Sequence, residues 1–262
     1  MSIRFWLSIC CMAGWFVMAT VHADQPAASP AVAAAADLKF ALPELAQAFE
    51  TASGRKLRLS FGSSGMFAQQ IAQGAPFELF FSADESYVER LYKAGRSENL
   101  GKLYASGRIA LFVPNGSPVQ IDGNLGNLAA AARDGRLKHL AIANPEHAPY
   151  GRAAREALRH AGIWELVSDK LVLGENAAQA AQFAASGSAQ AGIVPLSLAR
   201  APDLAARGAF ATLPESWHAP LKQRMVLIQG ASETAQLFYA FMQTPAARTI
   251  LIRHGFAPPQ EP

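Results

Sequence analysis

Short apolar runs suited to strands alternate along this chain with amphipathic stretches of helical period. Strand-type runs fall at 31–35, 57–61, 78–81, 109–113, 140–143, 171–173, 191–194 and 225–228. Helical runs at 42–53, 65–73, 85–94, 151–160, 177–185 and 234–242 lie between most of them. This alternation predicts βαβ units and a mostly parallel sheet, that is, an α/β fold. No repeat of fixed period is visible. Turn-rich stretches at Gly116-Ser-Pro and Ala219-Pro-Leu-Lys read as lying near crossings between two lobes. Residues 30–108 plus 222–262 then form lobe I, and 109–221 form lobe II.

In open α/β sheets, ligands bind beyond the carboxyl ends of the strands. That rule reduces the search to six strand-to-helix junctions: Ala36-Asp37, Ser63-Ser64, Ser82-Ala83-Asp84, Ala148-Pro149-Tyr150, Asn176-Ala177 and Pro195-Leu196-Ser197. The pair Ser63-Ser64 carries the strongest signal. Serine caps helix starts, exposed N–H groups there favour anions, and Gly62 and Gly65 let backbone approach a ligand. The Gly-Lys-Ser/Thr ending of a phosphate P-loop is missing, and so is the spacing of a dinucleotide fingerprint.

The start of the chain has the pattern of an export signal. Arg4 precedes an apolar run over 5–19, and Val21-His22-Ala23 supplies the small residue before a cut, so 1–23 is read as a signal peptide cleaved after Ala23. Residues 24–29 form a loose Pro- and Ala-rich leader to a periplasmic protein. Both cysteines, Cys10 and Cys11, lie in the signal, which leaves the mature chain without disulfide or thiolate chemistry. Its 22 Lys plus Arg against 20 Asp plus Glu give no case for nucleic acid. With 51% hydrophobic residues, the chain can bury a full core and is expected to be a monomer.

Catalytic patterns are weak. There is no Gly-x-Ser-x-Gly elbow, no HExxH and no cysteine site, and the five mature histidines are scattered, so no enzyme is expected. His147 lacks partners at metal-ligand spacing, and no cofactor or directly bound metal is implied. Asp37 reads as a helix cap. It can also offer its backbone N–H to an anion while its carboxylate turns into the helix, or accept the proton of a protonated oxyanion. Tyr150 offers a hydroxyl donor from a rigid ring, or merely covers the helix start.

Five segments occur in order: Ala-Ala-Ala-Asp37-Leu-Lys, Ser60-Phe-Gly-Ser-Ser-Gly, the run from Gln70 to Asp84, Asn144-Pro-Glu-His-Ala-Pro-Tyr-Gly151, and Ala191-Gly-Ile-Val194. Together they resemble the periplasmic molybdate-binding proteins of bacterial ABC importers, over 30 to 256. The resemblance implies a type II periplasmic-binding-protein fold, two α/β lobes joined by two crossings around a ligand cleft. It also implies capture of molybdate, and of tungstate, for a membrane permease. Carried over residue by residue, the oxyanion donors fall on Asp37, Ser64, Tyr150 and Ala177, with Ser63 and Pro195 as secondary positions. Two departures stand out. Asp37 replaces a frequent serine, and Pro195, where some members have tyrosine, has neither hydroxyl nor N–H. The alternative is a receptor for phosphate or another protonated oxyanion, with Asp37 as acceptor.

Overall fold

The computed structural model describes residues 29–259, so the signal-peptide reading lies outside the described residues. Ten strands form two five-stranded sheets. The first contains β1 (Ala31–Ala35), β2 (Arg58–Gly62), β3 (Leu79–Ser82), β4 (Lys102–Gly107) and β10 (Leu221–Leu227), in the order β2-β1-β3-β10-β4. The second contains β5 (Ile109–Pro114), β6 (Leu140–Ala143), β7 (Leu171–Gly174), β8 (Ala191–Pro195) and β9 (Gly208–Thr212), in the order β7-β6-β8-β5-β9. The chain passes to the second sheet at Arg108 and returns between Thr212 and Leu221.

Both sheets are mixed, which corrects the expectation of a mostly parallel sheet. In each, three strands pair in parallel and two join antiparallel: β10 and β4 in the first, β5 and β9 in the second. The reason is that β5 follows β4 after one residue and β10 enters from the other sheet, so neither arrives through a helical crossover. Sequence patterning missed β4 and β9. Both are edge strands, at the ends of their sheets.

The helices that position the junctions are α1 (Ala41–Ser53), α2 (Ser64–Ala72) and α3 (Glu85–Lys93) on the first sheet. On the second are α4 (Gly126–Arg133), α5 (Pro149–His160), α6 (Trp164–Val167), α7 (Ala177–Ala185), and the short α8 (Leu196–Ala199) and α9 (Pro202–Ala205). Two more, α10 (Glu233–Phe241) and α11 (Pro245–Arg253), complete the first lobe. In β1 every residue from Val32 to Ala35 is buried, as a central strand covered on both faces requires. One side of the first sheet packs Leu42, Leu45, Phe49, Phe81 and Phe238, and the other packs Phe67, Ile71, Phe80 and Leu91. The core of the second sheet includes Ala35 and Ala83 from the first, so the two lobes meet at the strand ends.

Candidate functional site

The register sets the floor of the site. Ala35 at the end of β1 stands opposite Gly62 of β2, and Ala34 stands opposite Phe81 of β3, so three parallel strands end at one level. In the other sheet Ala143 of β6 pairs with Gly174 of β7. The junctions beyond these ends face one another around a small cavity of about 10 Å³, lined by Ala35, Ala36, Asp37, Gly62, Ser63, Ser64, Ala83, Ala148, Pro149, Tyr150 and Ala177. The cavity lining thus includes Asp37, Ser64, Tyr150, Ala177 and Ser63. It omits Pro195, which ends β8 opposite Ile109. A roomier groove of about 450 Å³ lies outside it, along Met66, Gln69, Arg90 and His147. Its lining includes Glu146 but not Asp37, Ser63 or Ser64, so the anion chemistry belongs to the smaller cavity.

The serine wall is neutral. Ser64, 1% exposed, accepts the Ala83 N–H on Oγ at 3.0 Å. Among the described residues its own hydroxyl proton has no protein acceptor, so it is available to a ligand. Ser63 is spent differently. Its hydroxyl donates to the His147 carbonyl and lies 3.0 Å from His147 Nδ1, which ties α2 to the opposite lobe. Gly65 N–H and Tyr87 Oη reach the same carbonyl at 3.0 and 3.3 Å. A Cβ on Gly65 would stand 2.6 Å from that oxygen, so glycine is what allows the approach. At the start of α7, Asn176 accepts the N–H groups of Ala178 and Gln179 and leaves that of Ala177 at the cavity wall.

The facing wall is acidic. Asp37 sits in a 3₁₀ turn (Ala36–Leu38), four residues before α1 begins, and is 1% exposed. Its carboxylate does not turn into that helix, and it caps nothing. It crosses between lobes instead: Oδ2 accepts from Tyr150 Oη at 2.9 Å and from Gln223 Nε2 at 2.6 Å. Gln223 also donates to Tyr150 Oη at 2.9 Å, closing a three-membered ring. The single Tyr150 proton therefore goes to Asp37, which corrects the reading of Tyr150 as a free donor. Oδ1 of Asp37 is buried with no partner. Burial raises the Asp37 carboxyl to about 6, against the lowering effect of donors from Gln223, Tyr150 and the backbone N–H groups of Asp37 and Leu38. Burial, together with the Asp37 charge, holds the Tyr150 hydroxyl well above the ordinary tyrosine value.

Two further residues shape this wall: Ser197, from the last of the six junctions, and Gln223, which was not singled out. Ser197 Oγ donates to the Asp37 carbonyl at 2.9 Å. Gln223 is fully buried on β10, in phase with Leu221 and Met225. A glutamine at an inward position of an alternating strand is the signal that would have found it. Gly107 makes room, because a Cβ there would collide with Tyr150 Oη and come within 2.9 Å of Gln223 Nε2.

No lysine, arginine or histidine lines the cavity. The pair Arg152–Asp84 lies outside its lining and joins the two lobes. Among the described residues no cluster of three or more His, Cys, Asp or Glu could hold a metal ion. A small, half-open pocket lined by helix starts and hydroxyls suits a small anion of a few heavy atoms.

The family model for bacterial extracellular solute-binding proteins matches residues 30–257. The chain belongs to that family. Molybdate-binding protein ModA of Rhodobacter capsulatus is 34% identical over 236 residues, covering 88% of this chain and 90% of the relative. ModA of Azotobacter vinelandii is 34% identical over 233 residues, with the same coverage. The solved periplasmic molybdate-binding protein of Azotobacter vinelandii superposes with a TM-score of 0.76 at 30% identity, over 88% of this solute-binding protein and all of that one.

Proposed function

We propose that this protein captures molybdate, and tungstate with it, outside the cytoplasmic membrane and delivers it to the permease of an ABC importer. The observation that carries the reading is the convergence of helix starts and the Ser64 hydroxyl on one small cavity with no cationic side chain in its lining. Molybdate is a fully deprotonated dianion at neutral pH, so it needs donors. Neutral donors spread its charge, and each charge-assisted hydrogen bond contributes about 1.5–3 kcal/mol. The kinship with ModA proteins supports the choice of oxyanion. Closing the lobes shields those bonds from water, and the contacts of Ser63, Gly65 and Tyr87 with the His147 carbonyl hold that closed form.

Sulfate is rejected by cavity size on this reading, whereas tungstate, close in size to molybdate, competes. The protein works as a monomer in the periplasm after cleavage behind Ala23. Titration calorimetry with molybdate, tungstate, sulfate and phosphate tests the proposal. Sub-micromolar binding of the first two alone is expected; silence from molybdate overturns it. The buried, unpartnered Oδ1 of Asp37 favours a second reading, a receptor for phosphate or another protonated oxyanion. Phosphate binding without molybdate binding in the same titration would select it.

A further inference from the structure

The mechanism above leaves one group unused: a carboxylate lining a cavity meant for a dianion. An ionised Asp37 beside a doubly charged oxyanion is a like-charge contact in a buried site, and such contacts favour protonation. The groups that face Asp37 offer no charge to offset it. They are Tyr150 from α5, Gln223 from β10, Tyr104 from β4 and Ser197 from α8, all neutral. No lysine, arginine or histidine is among them. Tyr150 and Gln223 occupy Oδ2 with donated protons, so the vacant position for a proton is Oδ1, which is buried and has no partner.

Resting on the capture reading, we infer that Asp37 takes up one proton from solvent as the dianion binds, and that its Oδ1–H becomes a donor to a ligand oxygen. Asp37 is then a specificity residue: it makes capture proton-linked and adds a donor that an ionised carboxylate cannot supply. The carboxyl titrates near pH 6 in the empty site, and the bound dianion pushes it higher. The sign follows. Below about pH 6 the carboxyl is already protonated and affinity for molybdate is level. Above it, a proton must be recruited for each anion bound, so affinity falls about tenfold per pH unit until the titration point of the bound state is reached.

The test is calorimetric titration of the full mature protein with molybdate at pH 7.5, in two buffers of different ionisation enthalpy, with affinities also measured at pH 6, 7 and 8. The expected result is close to one proton taken up per molybdate and about tenfold weaker binding at pH 8 than at pH 7. Asp37→Asn should abolish proton uptake, flatten the pH profile and bind more tightly than wild type at pH 8. Tyr150→Phe removes a hydrogen bond that stabilises the carboxylate, so the pH at which affinity begins to fall should move upward. Molybdate binding with no proton exchanged overturns the inference and spares the capture reading. No molybdate binding at any of these pH values overturns the capture reading, and the inference with it.

Discussion

The two walls of the cavity solve opposite problems. The wall from β2 and α2 presents a hydroxyl, Ser64, whose proton is uncommitted, held in place by the Ala83 N–H. The wall from β1, α5 and β10 presents a carboxylate whose neighbours have already given it their protons. A site built only like the first wall binds a dianion at any neutral pH. A site that includes the second binds it on condition of a proton. A donor's chemistry is fixed by its partner: Tyr150 and Ser64 are both hydroxyls, and only Ser64 has an uncommitted proton.

Substitutions can break that contrast. The largest expected effect is on stability. Asp37 has a folded-state pKa of about 6 against an ordinary 3.8, so its contribution is fully present below pH 4 and is lost as pH rises through 6. The loss above pH 6 amounts to about 3 kcal/mol, from roughly 1.4 kcal/mol per pKa unit. Asp37→Asn should therefore stabilise the empty protein by up to that amount at pH 7.5 and by little near pH 4, as denaturant unfolding at the two pH values would show. An equal effect at both would mean the carboxyl is not shifted.

Next is Ser64→Ala, expected to cost about 1.5–3 kcal/mol of molybdate affinity, equally at pH 6 and pH 8, because no titrating group is removed. Gly107→Ala comes third. The added methyl collides with Tyr150 and Gln223, and overpacking of this kind costs about 1–3 kcal/mol of stability. Its distinctive mark is in binding, since displacing Tyr150 and Gln223 should shift the pH dependence that Ser64→Ala leaves alone. The smallest effect belongs to Arg152→Ala. The Arg152–Asp84 pair is partly exposed, with side chains 31% and 23% accessible, so less than about 1 kcal/mol is expected from closure and less still at high salt.

Much of this site could be read from the sequence. The Ser63-Ser64 pair between glycines, the turn before Tyr150 and the Asn-capped start of α7 announce helix N-termini through local chemistry, and local chemistry survives folding. The central strands were legible for a related reason: β1, β6 and β8 are apolar throughout because they are covered on both faces. The edge strands β4 and β9 carry small and polar residues, as in Lys102-Leu-Tyr-Ala-Ser-Gly107, and lack that signature. Gln223 was hidden because β10 reads convincingly only from Met225 onward. The partners of Asp37 come from positions 113 and 186 residues away, so nothing near it in sequence says where its carboxylate points.

Where molybdate sits is decided by a crystal structure of the complex with anomalous scattering measured at the molybdenum edge. One anomalous peak is expected in the cavity between Ser64 and Asp37, with ligand oxygens within about 3 Å of Ser64 Oγ, the Ala177 N–H and Asp37 Oδ1. A peak in the outer groove by Met66 and Arg90, or ligand oxygens bonded only to cationic side chains, would contradict that placement.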